Sequence, residues 1–415
     1  MSARRFTTRL LLLVMLCIGA SGATAGGILV QEAANPRNGT AQAGQAAYAY
    51  DAATALYNPA GMSRLQKTEV MVGLQPTFTE IEFDRDAATT FTGGDGGDQG
   101  GFVPALGSFF VHPLDDRWAV GGAIAGLAGG ALSPDAQWAG RFSVTDLELA
   151  VIGVNPAVSY RVNDWLSLGA GVSLVYGTMD FKLNLPSVTA GQEAQIEMDQ
   201  IDDLEWNWNL GVLVEPNDRT RFGIAYRSKV DLELDGDIRI RNSPILGGLG
   251  LTKGDVEADI PIPQLVRASV YHRLSDELAI LGDIGWEDWS EMDFTPITGP
   301  AGNTVKIPRR WHDTWHFGVG LEWQAAPGWL LQTGVAYDTS PVSSRRHNLP
   351  DMPSDRQWRY SVGAVYDCGE GVRVGLNYTY VDFGSAPIRA TNALGTISGD
   401  YDEFGAHVIA LSVAF

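Results

Sequence analysis

The chain has 415 residues, of which 45% are hydrophobic and only 19% are charged, and its formal net charge at pH 7 is −20. This composition is typical neither of a disordered tail nor of a coiled coil. So acidic a chain offers no basic surface for a nucleic-acid backbone, which excludes nucleic acid as a partner. The mean hydropathy of −0.04 indicates that apolar and polar residues are interleaved, unlike in a helical membrane bundle.

Residues 1–25 have the features of a secretory signal peptide. Three arginines precede an apolar run at 10–20, which is too short for a transmembrane helix, and small residues follow up to Ala25. We predict cleavage after Ala25, so that the mature chain starts at Gly26 and keeps one cysteine, Cys368. An intrachain disulfide is then impossible. A secreted chain of this size without disulfides points to a bacterial envelope protein.

After the signal peptide no stretch reaches 18 consecutive apolar residues, so any crossing of a membrane must use β-strands. Alternation is clearest at 372–380, where every second residue is apolar and the residues between are polar or small. The same pattern recurs at 222–226, 278–286, 315–323 and 358–366. Each segment therefore has one apolar face. A soluble β-sandwich alternates in the same way, so alternation alone leaves both folds open.

The spacing of turns favours a membrane barrel, which has short turns on one side and long loops on the other. Six short connections carry turn residues: 112–117, 161–164, 215–219, 273–277, 324–328 and 367–370. Seven longer stretches rich in Gly, Pro, Asp or Ser fall between these hairpins: 85–104, 128–145, 185–197, 243–256, 295–308, 340–354 and 387–401. Thirteen connections join fourteen strands. Both ends of the barrel chain then lie on the side of the short turns.

Aromatic residues support the same fold. Trp118, Trp165 and Trp329 directly follow short turns, as expected for a girdle at a membrane interface. The chain ends on Phe415, which is typical of proteins folded by the outer-membrane assembly machinery. We therefore predict an all-β protein in which residues 67–415 form a 14-stranded antiparallel transmembrane β-barrel. It would be a monomer in the Gram-negative outer membrane, in contact with lipid and lipopolysaccharide.

Residues 26–66 do not alternate and are rich in Ala, Gly and Asn. An eight-stranded barrel is filled by its own side chains and one of sixteen to eighteen strands is an open channel, so fourteen strands should leave a lumen to be occupied. We predict that residues 26–66 form a plug, or hatch, of short helices inside the barrel. A periplasmic tail is the alternative.

Several motifs point to a known family. The segments 51–53 and 57–62 include the sequence Asn58, Pro59 and Ala60, and further motifs follow at 155–161, 168–171, 221–228, 286–290, 313–315, 336–341 and 355–358. Together and in this order they resemble the FadL-type outer-membrane transporters of long-chain fatty acids, a family that includes channels for toluene and other aromatic hydrocarbons. Asn58, Pro59 and Ala60 correspond to the hatch signature of that family. The resemblance implies a 14-stranded barrel with an amino-terminal hatch and a hydrophobic ligand.

Two loops carry apolar residues outside any alternating strand. The candidates for a capture surface are Leu185, Val188, Ile245, Leu246, Leu249 and Leu251. The resemblance implies that the third and fourth loops form such a surface, and exposed apolar groups in a secreted loop point to a ligand. Packing of each loop on its neighbour is the alternative.

A fatty-acid carboxylate needs a cation when it leaves water. By their position opposite the apolar face, Arg221, Arg227 and Arg359 point into the lumen and are candidates for binding it. Each could instead pair with lumenal acids such as Asp283 and Glu287. An aromatic hydrocarbon would need no cation.

The third strand contains Gly121, Gly122 and Gly126, and glycine inside a strand weakens pairing and favours a bulge or kink. The resemblance implies that this strand bends inward and opens a lateral gate, a gap through which the ligand leaves sideways into the membrane beside the hatch signature. Packing of small residues against the hatch is the alternative.

No enzyme site, metal site or cofactor is predicted. His312 and His316 are four residues apart on a strand, which separates them by about 13 Å. The Gly93–Asp98 run resembles a single calcium-type repeat, which in isolation is usually a flexible loop. The predicted function is outer-membrane uptake of hydrophobic molecules, with long-chain fatty acids as the ligand. Uptake of monoaromatic hydrocarbons, a closed adhesin-like barrel, a general porin and a membrane lipase are the alternatives.

Overall fold

In the computed structural model, the described residues are 29–185, 193–243, 253–300, 302–392 and 395–415. Within these ranges nineteen strands form one antiparallel sheet. In chain order they are β1 Glu69–Arg85, β2 Phe102–Pro113, β3 Trp118–Leu132, β4 Asp146–Asn163, β5 Leu166–Leu185, β6 Ala194–Asn217, β7 Thr220–Arg227, β8 Val230–Arg241, β9 Lys253–Ile262, β10 Leu265–Arg273, β11 Leu278–Glu287, β12 Phe294–Thr298, β13 Thr304–Pro308, β14 Thr314–Ala326, β15 Trp329–Asp338, β16 Gln357–Gly369, β17 Val372–Asp382, β18 Ile388–Asn392 and β19 Gly395–Ala414.

Fourteen of these strands close a barrel. Strand β1 pairs with both β2 and β19, which joins the two ends of the sheet. Strand β7 pairs with β10 and β11 pairs with β14, so the strands between them leave the wall. The predicted fourteen-stranded antiparallel barrel is confirmed, and the six predicted short connections are the tight turns on its periplasmic side.

The burial pattern excludes a soluble sandwich. Along β17, Leu376 is 56% exposed, whereas the neighbouring Asn377 is only 2% exposed. On β14, Val319 is exposed and His316 is buried. Apolar residues thus face outward and polar residues face inward, the arrangement that a barrel needs in lipid and the reverse of one in water.

Five strands lie outside the barrel wall, among the long loops on the extracellular side. Strands β8 and β9 form a hairpin that pairs with the outer part of β6, β12 and β13 form a smaller one, and β18 pairs with β19. The predicted loops at 243–256 and 295–308 are therefore wrong in extent. Beside the first of these loops, Leu232 and Leu234 of β8 alternate like barrel residues, but they are buried and pack beside Gly177 of the wall strand β5.

The segment from Leu29 to Leu65, called here the N-terminal segment, lies inside the barrel. It contains two 3-10 helices, Pro36–Thr40 and Pro59–Arg64, and the short α-helix Thr54–Tyr57. No helix in the described ranges is long and apolar enough to span a membrane. The segment packs directly against the backbone of wall glycines. A Cβ atom on Gly223 or Gly334 would overlap carbonyl groups of the N-terminal segment.

Candidate ligand site in the barrel lumen

The barrel wall is incomplete beside the outer half of β3. Strand β3 pairs with β4 along its whole length, but its pairing with β2 ends at Ala125, opposite Gly107. The first residues of β2 pair with β1 alone within the described chain. A register shift between Gly126 and Ala128 leaves Leu127 as a bulge opposite β4. The strand therefore separates from β2 at this point and leaves a gap in the wall.

The N-terminal segment occupies the lumenal side of this gap. The backbone N–H of Val30 donates to the carbonyl of Leu127 at 3.1 Å, and Leu29 forms an isolated antiparallel bridge with Ala128. The outer half of β3 thus uses the start of the N-terminal segment in place of β2. We call residues 29–33 the strap.

The three glycines predicted in this strand have different surroundings. A Cβ atom on Gly121 would lie 2.6 Å from Sδ of Met62, and one on Gly122 would lie 3.0 Å from the carbonyl oxygen of Asn155. A Cβ atom on Gly126 would meet nothing within 4 Å. Packing against the N-terminal segment accounts for Gly121, whereas Gly126 lies at open space beside the gap.

A cavity of about 60 Å³ lies on the lumenal side of the gap. Its walls come from the strap and later parts of the N-terminal segment, and from β3, β6, β7 and β10: Leu29, Val30, Gln31, Ala33, Gln45, Leu56, Tyr57, Gly126, Leu127, Asn209, Ala225, Tyr226, Arg227, Leu265 and Arg267. A space of this size holds only a few water molecules. A long-chain ligand can enter it only if the strap moves.

The three predicted cations are not equivalent. Arg221 donates hydrogen bonds to the carbonyls of Ala47 at 2.9 Å and Tyr48 at 2.8 Å, and it stacks between Tyr50 and Tyr271. It therefore fastens the N-terminal segment to the wall. It does not line the cavity.

Arg359 is likewise occupied by protein groups. Its Nε donates to Glu32 at 2.8 Å, and its two terminal nitrogens bond to Asp338 and Gln357. All of this side chain is buried. Arg359 therefore holds the strap through Glu32 and has no free edge for a ligand.

Arg227 is the predicted cation that lines the cavity. It donates to the carbonyl of Leu56 at 2.8 Å, and within the described residues it has no ion pair with a carboxylate. A second cation, Arg267, also lines the cavity and was missed from the sequence. Its position on the inner face of β10, between the outward-facing Val266 and Ala268, was the signal that could have revealed it.

Arg267 is only partly paired. Its Nη2 donates to Gln31 at 3.0 Å and lies 3.5 Å from Oε1 of Glu287, while its Nε and Nη1 have no hydrogen-bond partner. Glu287 accepts further hydrogen bonds from Gln31 and from the indole of Trp289. The cavity thus presents one guanidinium without an acid and one that shares its acid with the strap.

The hatch signature lies deeper in the lumen. The side chain of Asn58 donates to the carbonyls of Ala46 at 2.6 Å and Val212 at 3.0 Å, and it accepts from the backbone N–H of Ala60. Pro59 starts the 3-10 helix, and the carbonyl of Ala60 accepts from Ser159 of β4. The signature therefore fixes the N-terminal segment to the wall beside the paired half of β3.

The predicted capture surface falls mostly beyond the structural description. Leu185 is the last residue of β5 and is half-buried opposite Ala194 of β6. The other candidates lie outside the described residues: Val188, Ile245, Leu246, Leu249 and Leu251. The signal peptide also lies outside them.

The Gly/Asp-rich first loop is held by its own carboxylates. Asp98 accepts from the backbone N–H groups of Ile81 at 3.0 Å and Gly100 at 2.9 Å, and Asp95 pairs with Arg85. No group of metal-ligating side chains occurs in the described part of the chain.

Comparison with known proteins identifies the family to which this barrel belongs. Residues 16–415 match the family model described as "Outer membrane protein transport protein (OMPP1/FadL/TodX)". The chain belongs to this family. The family and outer-membrane location predicted from the sequence are thereby confirmed, and the FadL/TodX proteins are transport channels for hydrophobic molecules and not enzymes.

Individual relatives in the FadL/TodX family cover nearly the whole chain. The "Long-chain fatty acid transport protein" of Escherichia coli O6:H1 is 25% identical, over 98% of this chain and 97% of its own. The "47 kDa outer membrane protein" of Pasteurella multocida is 28% identical, over 90% and 91%. A crystal structure of a Pseudomonas aeruginosa FadL homologue superposes with a TM-score of 0.87 at 24% identity, over 94% of this chain and 99% of its own. The Pseudomonas putida toluene transporter TodX superposes with a TM-score of 0.72 at 16% identity, over 95% of this chain and 99% of its own.

Proposed function

We propose that this outer-membrane transporter takes up long-chain fatty acids. The observation that carries the proposal is Arg227, a cation that lines the lumenal cavity and has no carboxylate partner among the described residues. Removing a charged group from water is costly unless an opposite charge receives it. A fatty-acid carboxylate would provide that charge, whereas an aromatic hydrocarbon would leave Arg227 uncompensated. The fatty-acid relative from Escherichia coli supports the same ligand class.

The acyl chain supplies affinity without special chemistry. Each buried CH₂ group contributes about 0.8 kcal/mol, so a chain of sixteen or more carbons gains ample free energy from any apolar surface. The difficult step is release. We propose that the loops around Leu185 capture the ligand and that residues 26–66 act as the hatch. The ligand displaces the strap and leaves sideways through the gap beside Gly126.

The test is the substitution Arg227→Gln in the purified protein, with Arg219→Gln in an exposed periplasmic turn as the matched control. We expect the Kd for oleate to rise about 10- to 100-fold, because a hydrogen bond to a charged group contributes ~1.5–3 kcal/mol. The Kd for oleyl alcohol, which has no charge, should stay unchanged. Equal affinity of the variant and the wild type for oleate would contradict the proposal.

Monoaromatic hydrocarbons are the second candidate ligand. The observation in their favour is the small cavity, since benzene fills an apolar cavity of about 150 Å³ and needs a smaller displacement of the strap than an acyl chain does. Growth of a deletion strain on oleate or on toluene as the carbon source distinguishes the two. Loss of growth on toluene alone would favour the aromatic ligand. The contacts with lipopolysaccharide and with the assembly machinery, and the monomeric state, stay predictions.

A further inference from the structure

Seven polar side chains line the cavity beside the gap, and one of them has no hydrogen bond within the described residues. Six are bonded to other parts of the protein: Gln31, Gln45, Tyr57, Tyr226, Arg227 and Arg267. The seventh is Asn209 of β6, which is only 3% exposed. An unpaired amide that is shielded from water costs free energy, so folded proteins rarely contain one. Asn209 therefore marks a position where a group from outside the chain is expected.

The oxygen of the Asn209 amide, Oδ1, is turned toward the neighbouring strand β5. A Cβ atom on Gly171 of β5 would lie 2.3 Å from this oxygen and 3.0 Å from Oδ1 of Asn155. Nδ2 is then the amide atom that can meet the cavity, as a donor. A half-turn of the amide exchanges the two atoms, turns a donor toward Asn155 and presents Oδ1 to the cavity as an acceptor. Either orientation leaves one hydrogen-bonding group of Asn209 for a ligand.

Asn209 lies directly beside the cation on which the proposed function depends. Asn209 and Arg227 are register partners in the pairing of β6 with β7, and both line the cavity. Residues directly opposite each other on antiparallel strands have Cβ atoms about 4.5–5.5 Å apart, on the same face of the sheet. A ligand whose carboxylate is bound to Arg227 therefore has its next carbon atoms within reach of the Asn209 amide.

A hydroxyl group is the ligand group that fits this amide. It donates one hydrogen bond and can accept others, so it pairs with Asn209 in either orientation of the amide. A hydroxyl that leaves water without a partner is costly. An unsubstituted acyl chain has only CH₂ groups at this position and leaves the amide unpaired. Pairing the two groups therefore removes both penalties at once.

We propose that Asn209 forms a subsite for a hydroxyl group close to the carboxylate of the ligand. Fatty acids that carry a hydroxyl on carbon 2 or carbon 3 then bind more tightly than unsubstituted ones. The proposal rests on the proposed function, because Arg227 must hold the carboxylate while Asn209 meets the hydroxyl. Carbons 2 and 3 are the first two after the carboxyl carbon, which matches the short distance between opposite residues of β6 and β7. A hydroxyl at the far end of the chain lies beyond the reach of the amide.

The expected preference is modest and specific to position. In water the ligand hydroxyl is already hydrogen-bonded, so binding exchanges one partner for another. The net gain from one neutral hydrogen bond corresponds to about a three- to tenfold lower Kd. The acyl chain and the carboxylate are the same in both kinds of ligand, so they contribute equally and cancel in the comparison.

The test measures the Kd of the purified protein for hexadecanoate and for its 2-hydroxy, 3-hydroxy and 16-hydroxy derivatives. We expect the 2-hydroxy or the 3-hydroxy acid to bind about three- to tenfold more tightly than hexadecanoate, and the 16-hydroxy acid to show no such gain. In Asn209→Leu, which keeps a similar volume but has no hydrogen-bonding group, this preference should disappear. The Kd of the variant for hexadecanoate should stay within about twofold of the wild-type value, because Arg227 is unchanged.

The matched control is Asn207→Leu, on the same face of β6 but outside the lining of the cavity, and it should keep the preference. The subsite is overturned if wild type binds hexadecanoate as tightly as both the 2-hydroxy and the 3-hydroxy acid, if the 16-hydroxy acid gains equally, or if the preference survives in Asn209→Leu. The proposed function then still stands. A wild-type protein that binds oleyl alcohol but none of the acids overturns both. If Asn209→Leu does not fold, the four ligands compared on wild type alone decide the proposal.

Discussion

Both halves of β3 are rich in glycine and alanine, but their surroundings differ. From Ala119 to Ala125 the strand is paired on both sides, and Gly121 is packed against Met62 of the N-terminal segment. From Gly126 outward it is paired with β4 alone and faces the strap and the cavity. Gly121 in the inner half permits close packing, whereas Gly126 at the start of the outer half leaves space. A run of glycines in a strand therefore has no single structural meaning, and its neighbours decide which one applies.

The strongest test of this comparison exchanges each glycine for valine. We expect Gly121→Val to prevent folding, because the new side chain would overlap Met62 and the backbone of Phe110, and overpacking at a rigid site costs about 1–3 kcal/mol or more. Heat-dependent migration of the barrel in electrophoresis measures folding. Gly126→Val is the matched control. It should fold normally and reduce oleate uptake several-fold by narrowing the gap, and normal folding of Gly121→Val would break the comparison.

A second test locks the strap to the outer half of β3. Leu29 and Ala128 face each other across an antiparallel bridge, a geometry within reach of a disulfide. In a background with Cys368→Ser, the pair Leu29→Cys and Ala128→Cys should form a crosslink that lowers oleate uptake several-fold, and a reductant should restore it. Each single cysteine variant is the control. Uptake that is unaffected by oxidation would mean that the strap need not move away from β3.

The smallest expected effect concerns the loop that follows the outer half of β3. Arg141 in this loop donates hydrogen bonds to Glu193, and these bonds hold the pKa of Glu193 below its ordinary value. A lowered pKa stabilises the loop at neutral pH, and this contribution is lost as the pH falls through the lowered pKa. Because the pair is partly exposed, we expect less than about 1 kcal/mol.

Hydrogen exchange of residues 133–145 measures this contribution. Exchange should be the same at pH 7 and pH 5 after correction for the intrinsic rate, and it should accelerate a few-fold below pH 4. Glu193→Gln should show the faster exchange already at pH 7. If Glu193→Gln exchanges as slowly as wild type at pH 7, the loop does not depend on the contact between Arg141 and Glu193.

The barrel was predictable because its signal repeats. Wall strands place apolar residues toward lipid, as Leu376 and Val319 do, and short turns alternate with long loops between them. Counting these thirteen connections in the sequence was enough to predict fourteen strands. The hairpin of β8 and β9 was not predictable in the same way. Leu232 and Leu234 alternate as wall residues do, but they are buried beside Gly177 of β5 and do not face lipid. Alternation does not show which surface covers an apolar face.

For the site, the sequence could predict only which arginines face the lumen. The position of each arginine in its strand showed that Arg221, Arg227 and Arg359 point inward, yet it could not show which atoms of the N-terminal segment each one meets. Arg221 is taken by carbonyl groups and Arg359 by acids, which leaves Arg227 at the cavity. Most of these partners, namely Ala47, Tyr48 and Glu32, lie more than a hundred positions away along the chain. Only the folded arrangement decides among the three.

The contact between wall glycines and the backbone of the N-terminal segment means that the two regions must evolve together. Gly223 accommodates the carbonyl of Ala46, and Gly334 accommodates that of Thr40. The N-terminal segment therefore fits only a barrel in which those positions lack a side chain. An N-terminal segment grafted from a distant relative should assemble only when the wall glycines that match it are transferred as well. Swapping modules between such channels therefore requires that two stretches of sequence, far apart along the gene, be exchanged together.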